Sequence, residues 1–295
     1  MADRLPVIVN RSGGTATALG DKLEATLRDA FAGQAIDLEL VDGSELADAV
    51  SRCADRPVVA IGGGDGTQGA AAAALAERGV AQLILPLGTR NHLAKQLEIP
   101  LDLTAAAKLA TSGRRRSIDL ARAGERVFVN NASIGVYTRL VRERDKRWGP
   151  KWLGTIPAAW VVVTTMRAKP LQLTIDGEPS PVVTPLLFVG NNRYSLDAGK
   201  LGERESLSEG VLSVYAVARQ RPLTLLGFAV RAVIGRADPQ RDFCEVADAR
   251  EVRLDGAGTI EVAFDGEVER MPLPLSFCIM PGALDVLVPA DERDA

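Results

Sequence analysis

The sequence contains few cysteines, histidines and aromatic residues, and these shortages narrow the classes of function open to it. Its 295 residues include three cysteines with no CxxC spacing, which argues against a zinc site or a disulfide framework. We expect all three to be small core residues: Cys53, Cys244 and Cys278. The one histidine, His92, is expected to start a helix, so any acid–base chemistry falls to carboxylates.

Long hydrophobic runs are also missing. The longest apolar stretch, residues 153–166, has 14 residues and contains Pro157, whereas a membrane-spanning helix needs about 20. An apolar strand begins at Leu5, which leaves no room for a signal peptide. We therefore expect a cytoplasmic protein without a transmembrane helix, peripheral at the inner membrane face if it meets a membrane.

The net charge of −3 argues against a general nucleic-acid binder, which needs a basic field to displace counterions from phosphates. One segment departs from this balance. From Arg139 to Lys151, six basic and two acidic residues give a local charge of +4, and the three tryptophans lie close by. Because tryptophan and basic residues favour anionic headgroups, the segment Arg139 to Trp160 is predicted to contact the membrane. The alternative is a solvated basic helix with its tryptophans in the core.

Length and periodicity predict two domains, residues 1–120 and 121–295, with the C-terminal tail a candidate to pack back on the first. In the first, strands alternating with helices predict a parallel sheet flanked by helices. In the second, short β-rich runs between turn residues predict an antiparallel β-sandwich. The strands are expected at 5–9, 38–41, 58–61, 83–85, 127–129, 171–175, 182–189, 211–217, 251–254, 260–264 and 283–288, and the helices at 19–31, 44–50 and 67–77.

The most informative segment joins the strand at 58–61 to a helix through the cluster Gly62-Gly63-Gly64-Asp65-Gly66-Thr67. Glycines let the backbone approach a ligand closely, and a helix N-terminus presents free N–H groups to an anion. The chemistry indicated is phosphate binding. The alternative is a tight turn in which Asp65 or Thr67 caps the helix.

Two common phosphate motifs do not account for this cluster. Gly64, Gly66 and Gly69 satisfy GxGxxG, but the acidic residue that a dinucleotide site needs about 20 positions later is replaced by apolar residues 84–87. No GxxxxGK[ST] sequence occurs, so a P-loop lysine is lacking.

Two more turns follow predicted strands in the same way, at residues 85–94 and 10–15. Open parallel sheets bind ligands beyond the carboxyl ends of their strands. We therefore expect the three glycine turns to form one pocket.

These residues resemble the signatures of a known family. Gly63 to Thr67 and Pro86 to Asn91 are similar to the GGDGT and PLGTxN motifs of the bacterial diacylglycerol-kinase-like lipid kinases, relatives of the sphingosine kinases. The resemblance continues through residues 189–192, 210–212 and 265–267. It implies an α/β domain of the NAD kinase and diacylglycerol kinase type, a C-terminal β-sandwich domain, and ATP enclosed between them.

The resemblance also implies the activity, which is ATP- and Mg²⁺-dependent transfer of the γ-phosphate to the hydroxyl of diacylglycerol or a similar lipid. The expected partners are the lipid substrate, the anionic membrane surface and a second copy of this chain in a homodimer, with no nucleic acid. The residues expected to bind the nucleotide are Asn10, Arg11, Ser12, Gly13, Gly14, Gly63, Gly64, Asp65, Gly66, Thr67, Gln68, Gly88, Thr89 and Asn91.

A structural magnesium ion is common in the family, and the matching residues here are Ser206, Glu209 and Val211. Glu209 stands where aspartate is usual, and its longer arm places the oxygen differently. Arg11 likewise replaces a common proline, and His92 a common aspartate.

The chain contains two Asp-Gly-Glu triplets, at 176–178 and 265–267, and both have the form of hairpin turns. The order of the family motifs favours the second as the source of the catalytic base. Asp265 and Glu267 are both candidates for the proton acceptor, and Asp65 is expected to join them in a hydrogen-bond network.

Two other functions remain open. The GGDGT element also occurs in NAD kinases, although the nearest match to their Asn-Glu element, Asn130-Asn131-Ala132, lacks the glutamate. The substitutions at Glu209 and His92 would also fit a non-catalytic regulator that binds nucleotide or lipid on the same fold.

Overall fold

The computed structural model describes residues 4–135, 169–194, 204, 206–217 and 243–290. The chain divides into two compact units. The first contains the residues up to Leu120 together with the chain from Gly282 onward, and the second runs from Ala121 to Pro281. The predicted membrane segment, Arg139 to Trp160, lies outside the described residues.

The sheet of the first unit is parallel, as the alternation of strands and helices predicts. Its strands, in the order β2-β1-β3-β4, are β1 (Leu5–Asn10), β2 (Ile36–Val41), β3 (Val58–Gly63) and β4 (Ala81–Pro86). The end of the strand at Leu275–Val288, labelled β17 below, pairs with β4 in parallel, with Asp285 opposite Ala81.

Short helices cover this sheet. They are α1 (Gly14–Leu19), α2 (Leu23–Ala30), α3 (Leu46–Ser51), α4 (Asp65–Leu75), α5 (His92–Gln96) and α6 (Leu103–Ser112). The single helix predicted at 19–31 is wrong in its extent, because a 3₁₀ turn at Gly20–Lys22 separates α1 from α2. Ala71 and Ala72 of α4 are completely buried, since small side chains let this helix pack closely.

The second unit is antiparallel. It contains the end of β5 (Arg114–Ala123), the start of β17, and the strands β6 (Arg126–Phe128), β7 (Asn131–Gly135), β8 (Lys169–Ile175), β9 (Glu178–Pro179), β10 (Val182–Thr184), β11 (Leu186–Asn191), β12 (Leu212–Val217), β13 (Phe243–Ala249), β14 (Glu251–Asp255), β15 (Thr259–Phe264) and β16 (Glu267–Pro272). Its larger sheet has the order β13-β12-β11-β7-β15-β16 among the described residues. A second group of strands pairs in the order β10-β8-β14-β17, with β9 beside β8 and β6 beside β5. Phe128, Phe264 and Phe277 are among the largest side chains of its core.

Two strand predictions need correction. The run at 182–189 is two strands, because Pro185 has no N–H to donate, and the strands on either side of it pair with different neighbours. The run predicted at 283–288 is the end of a longer strand, β17, which already begins at Leu275.

The prediction for the cysteines is wrong for two of them. Cys53 and Cys278 are only partly buried, although that burial still raises the pKa of both thiols.

The sequence analysis predicted no transmembrane helix. Among the helices of the described ranges, none is long and apolar enough to cross a membrane.

Candidate active site

The loop after β1 is tied to the start of α4. Asn10 Nδ2 donates to Thr67 Oγ1 at 3.1 Å, and the Ser12 amide donates to Asn10 Oδ1 at 2.9 Å. Thr67 is itself buried in the first turn of α4. The glycine turn at residues 10–15 and the glycine turn at residues 62–67 therefore form one connected structure.

The loop after β1 also contacts the loop after β4. The Thr15 amide donates to the Leu87 carbonyl at 2.9 Å. Gly14 has a φ of +57°, and a Cβ added there would lie 2.6 Å from the Leu87 oxygen. A side chain at this position would push the two loops apart, so Gly14 is required for their close approach.

The loops after β3 and β4 meet backbone to backbone. A Cβ at Gly88 would lie 2.4 Å from the Gly64 Cα, so only glycine fits between them. Asn91, which is itself in the left-handed conformation with a φ of 52°, closes this turn. Its Oδ1 accepts from the Gly88 amide at 2.9 Å and its Nδ2 donates to the Gly88 carbonyl at 2.9 Å. Asp65 adds a further link, since its Oδ1 accepts from the Leu93 amide at 3.2 Å.

The helix that follows Gly64 begins without a capping side chain, because glycine is its N-cap residue. Gly66 in its first turn is exposed, and so is Thr89 in the adjacent loop. A helix N-terminus carries a partial positive charge and unpaired N–H groups, which together favour an anion such as phosphate.

Three more of the predicted nucleotide-binding residues, Arg11, Ser12 and Gln68, also make contacts within the first unit. Arg11 forms a bidentate pair with Asp42, with both nitrogen–oxygen distances at 2.9 Å, and Ser12 Oγ donates to the same carboxylate at 2.9 Å. These contacts lower the pKa of the Asp42 carboxyl to about 2. Gln68 is buried and donates to the Ile61 carbonyl at 3.0 Å, so its side chain supports the glycine turn from the interior.

In the second unit, Asp265 occupies the hairpin turn between β15 and β16 with a φ of 48°. Its carboxylate accepts three backbone hydrogen bonds from one short segment. Oδ2 accepts from Val129 at 2.9 Å, and Oδ1 accepts from Asn130 at 2.8 Å and Asn131 at 3.1 Å. Both oxygens of Asp265 thus hold the segment 129–131 in place.

Glu267 begins β16, two residues after Asp265, and its side chain is 68% exposed. The Arg126 guanidinium approaches Glu267 Oε2 to 3.2 Å and Glu269 Oε1 to 2.9 Å. Of the two predicted catalytic carboxylates in this unit, Glu267 is therefore the accessible one. Asp65 belongs to the first unit, and its predicted network with Asp265 stays a prediction.

The other Asp-Gly-Glu triplet forms the turn between β8 and β9. Asp176 has a φ of 47°, and its Oδ1 accepts from the Arg250 amide at 2.9 Å and the Glu251 amide at 2.8 Å. Glu178 is exposed. The two triplets consequently share one backbone geometry and differ in what surrounds them.

Several polar side chains around the segment 129–131 were not predicted as a group from the sequence. Arg204 donates to the Val129 carbonyl at 2.7 Å and to Asn130 Oδ1 at 2.9 Å. The Tyr194 hydroxyl donates to the Asn130 carbonyl at 3.0 Å, and Asn191 Nδ2 donates to the Val129 carbonyl at 2.8 Å. Of the three donors, Asn191 belongs to a family motif that sequence reasoning selected, and Arg204 and Tyr194 do not.

That motif, residues 189–192, has an explanation in the packing. A Cβ at Gly190 would lie 2.7 Å from the Tyr194 ring, so glycine makes room for the ring. Asn192 has a φ of 66°, and its Oδ1 accepts from the Glu209 amide at 3.0 Å. The motif therefore holds both Tyr194 and the loop of Glu209.

The predicted magnesium ligands all have protein partners. The Glu209 carboxylate lies 3.8 Å from an Arg193 guanidinium nitrogen and also accepts from the Arg193 amide at 3.4 Å. The Val211 carbonyl accepts from the Asn192 amide at 2.9 Å, and Ser206 Oγ accepts from the Ser208 amide at 3.1 Å. In the described part of the chain, no group of three His, Cys, Asp or Glu side chains could hold a metal ion. A guanidinium beside the one carboxylate of the set is a poor fit for a bound cation.

The fold and these loops define a class of protein in which an α/β unit with glycine turns at its strand ends precedes an antiparallel β-sandwich unit. Residues 4–123 match the diacylglycerol kinase catalytic domain, and residues 132–288 match the YegS C-terminal NAD kinase β-sandwich-like domain. The chain therefore belongs to the YegS-type, diacylglycerol-kinase-like family that combines these two domains. This confirms both the resemblance and the predicted fold class.

Individual relatives agree with this assignment. A probable lipid kinase YegS-like from Klebsiella pneumoniae (strain 342) is 39% identical over 159 residues, covering 52% of this chain and 54% of that protein. Its counterpart in Enterobacter sp. (strain 638) is 31% identical over 163 residues, covering 53% of this chain and 54% of that protein. The chain thus spans about half the length of these curated relatives.

Solved structures share the fold over almost the whole chain. A diacylglycerol kinase from Bacillus anthracis str. Sterne superimposes with a TM-score of 0.68 at 19% identity, covering 99% of this chain and 98% of that one. A putative diacylglycerol kinase from the same strain gives a TM-score of 0.70 at 22% identity, with coverage of 99% and 96%. At this identity the likeness concerns the fold alone.

Proposed function

We propose that this protein is a lipid kinase that transfers the γ-phosphate of ATP to the hydroxyl of diacylglycerol or a similar lipid. The observation that carries the proposal is the junction of three glycine turns at the carboxyl ends of β1, β3 and β4. Gly14 and Gly88 permit backbone contacts that no side chain would allow, and the uncapped N-terminus of α4 begins between them. This arrangement suits a polyphosphate.

Phosphate transfer to an alcohol requires positioned reactants, neutralised phosphate charge and a carboxylate that takes the hydroxyl proton. Magnesium bound with ATP would neutralise charge on the phosphate oxygens. Because Asp265 uses both carboxylate oxygens on the segment 129–131, we assign the proton to Glu267 and the support of this turn to Asp265. The magnesium site expected at Ser206, Glu209 and Val211 has no part in this assignment.

The decisive experiment measures transfer of radiolabelled phosphate from ATP, with and without Mg²⁺, to a panel of lipids. The panel contains diacylglycerol, a sphingoid base and phosphatidylglycerol, and NAD is tested in parallel. Labelling of a lipid alone supports the proposal, and labelling of NAD alone favours a kinase with a soluble substrate. ATP binding without any transfer would point to a regulator on the kinase fold.

Gly66→Val tests the nucleotide site. Gly66 is exposed in the first turn of α4, so the Gly66→Val protein should fold normally while the valine side chain blocks the phosphates of ATP. We expect ATP binding to be abolished in calorimetry with the thermal unfolding transition retained. Thr111→Val, at an exposed position of α6, is the matched control and should bind ATP normally. Unchanged ATP affinity in folded Gly66→Val would refute the site.

The proposed partners can be tested separately. We propose that the segment Arg139 to Trp160 binds anionic membranes, because its local charge of +4 is combined with three tryptophans. Co-sedimentation with vesicles should rise with anionic lipid content and fall with salt; binding that ignores both would contradict this. We also propose a homodimer, which light scattering of the purified protein would confirm or refute.

A further inference from the structure

Arg204 is a buried charged side chain with no role in the function proposed above. It is 8% exposed and belongs to the second unit, where it pairs in an isolated β-bridge with Tyr194. Burying a guanidinium costs several kcal/mol unless hydrogen bonds and an opposite charge compensate for it. The contacts of Arg204 therefore indicate what the protein gains from it.

One peptide group connects Arg204 with Asp265. The guanidinium donates to the Val129 carbonyl at 2.7 Å, and the N–H of the same peptide group, on Asn130, donates to Asp265 Oδ1 at 2.8 Å. The cation thus lies at the oxygen end of the peptide dipole and the anion at its hydrogen end. Hydrogen bonds in such a chain polarise and strengthen one another.

The next peptide group is held in a similar way by neutral groups. The Asn130 carbonyl accepts from the Tyr194 hydroxyl at 3.0 Å and from the Asn191 amide at 2.9 Å, while the N–H of Asn131 donates to Asp265 at 3.1 Å. Arg204 also donates to Asn130 Oδ1 at 2.9 Å. The segment 129–131 is therefore held by Asp265 at its N–H groups. At the carbonyls of Val129 and Asn130 it is held by Arg204, Tyr194 and Asn191, and Arg204 is the charged member of that set.

We infer that Arg204 is the positioning residue of the Asp265 carboxylate, acting as an ion pair bridged by the peptide group between Val129 and Asn130. The inference rests on the proposed function in so far as Asp265 orients Glu267 for proton transfer. Burial lowers the pKa of Arg204, whereas Tyr194 and Asp265 raise it. Asp265 therefore interacts favourably with the charged guanidinium, as an ion pair requires. Lysine would be a poor substitute, since it lacks the planar fork that reaches two acceptors at once.

Two measurements test this inference. In Arg204→Met, amide hydrogen exchange of residues 129–131 should accelerate, because Asp265 then holds these amides without its counter-charge. The kcat for lipid phosphorylation should fall about tenfold to a hundredfold, the effect of losing a charged hydrogen bond, with the KM for ATP unchanged. A double-mutant cycle with Asp265→Asn should be non-additive, with the double variant little worse than Asp265→Asn alone.

Arg193→Met is the matched control. Arg193 is an arginine one position before Tyr194, and it pairs with Asp248 and Glu209. Its loss should leave exchange at residues 129–131 unchanged. Arg204→Lys keeps the charge, so its amides at residues 129–131 should exchange more slowly than those of Arg204→Met and faster than those of the wild type. If Arg204→Met does not fold, Arg204→Lys is compared with the wild type instead.

Unchanged exchange at residues 129–131 in the Arg204 variants, or full additivity in the cycle, would overturn the inference. The exchange measurement does not depend on catalysis. If the wild-type protein phosphorylated no lipid, the proposed function would fail, whereas the role of Arg204 would still be decided by the exchange rates.

Discussion

The two Asp-Gly-Glu turns of the second unit have the same local structure and different surroundings. In each, the aspartate and glycine have positive φ angles, 47° and 89° at residues 176 and 177 and 48° and 93° at residues 265 and 266. In each, the aspartate amide donates to a neighbouring carbonyl at 3.0 Å and the carboxylate accepts backbone amides. Local sequence therefore determines the turn and leaves its use undetermined.

The difference lies in the segments that the two carboxylates hold. Asp176 uses one oxygen for two amides at the exposed residues 250 and 251. Asp265 uses two oxygens for three amides of a segment that Arg204 and Tyr194 also hold. A turn anchored to a buried charged network can position a catalytic group more rigidly than one anchored to an exposed strand end.

The largest expected difference concerns the glutamates. Glu267→Gln removes the proposed proton acceptor, so lipid kinase turnover should fall by about two to four orders of magnitude, the usual effect of losing a general base. Glu178→Gln, in the equivalent position of the other turn, should change little. Steady-state phosphate transfer measures both. Loss of activity in Glu178→Gln with full activity in Glu267→Gln would show that the functional turn is the other one.

The variants Asp265→Asn and Asp176→Asn should differ in stability as well as in activity. Asparagine at 265 places an NH₂ group against the Val129 or the Asn130 and Asn131 amides, which should cost about 1–3 kcal/mol of unfolding free energy. Its turnover should also fall by about two to four orders of magnitude, because the turn that carries Glu267 is displaced.

The matched variant, Asp176→Asn, can keep both of its hydrogen bonds through one oxygen. Its unfolding free energy should therefore change by about 0.5 kcal/mol or less. Denaturant unfolding compares the two, and equal stability losses would show that the number of oxygens used by each carboxylate is unimportant.

The smallest difference is expected at the glycines. Gly177→Ala and Gly266→Ala each put a Cβ at a φ near 90°, and no heavy atom lies within 4 Å of that Cβ in either turn. Backbone strain alone should then lower the unfolding free energy of both by about 1–2 kcal/mol. Unequal losses in denaturant unfolding would mean that the two turns are not locally equivalent.

Sequence patterns predicted more of the first unit than of the second. In the first, each predicted strand is present. The central strands β3 and β4 are buried along almost their whole length, so they appear in the sequence as short apolar runs before glycine turns. In the second, the run at 182–189 hid a break at Pro185, and strands with polar residues such as β16 were missed. The strand β16 contains three charged residues among six, so it lacks the apolar run by which the other strands were selected.

The candidate site was also predicted only in part. Glycine turns can be recognised in the sequence, since few other residues allow their backbone contacts, and residues 14, 64 and 88 were all selected. Arg204 and Tyr194 were not, because the contacts that define them join positions about 75 and 64 residues apart. No local pattern distinguishes a buried arginine from the many exposed ones.

The sequence by itself determined the α/β and β-sandwich architecture, the family, the three glycine turns and the presence of two equivalent hairpin turns. These features depend on periodicity and on the conformations that glycine permits, which are local properties. Only the tertiary structure decided that Asp265, and not Asp176, holds a segment opposed by a buried arginine. Burial and hydrogen-bond partners are set by strand pairing across the whole second unit, and a buried charge is tolerated only where that pairing supplies its partners.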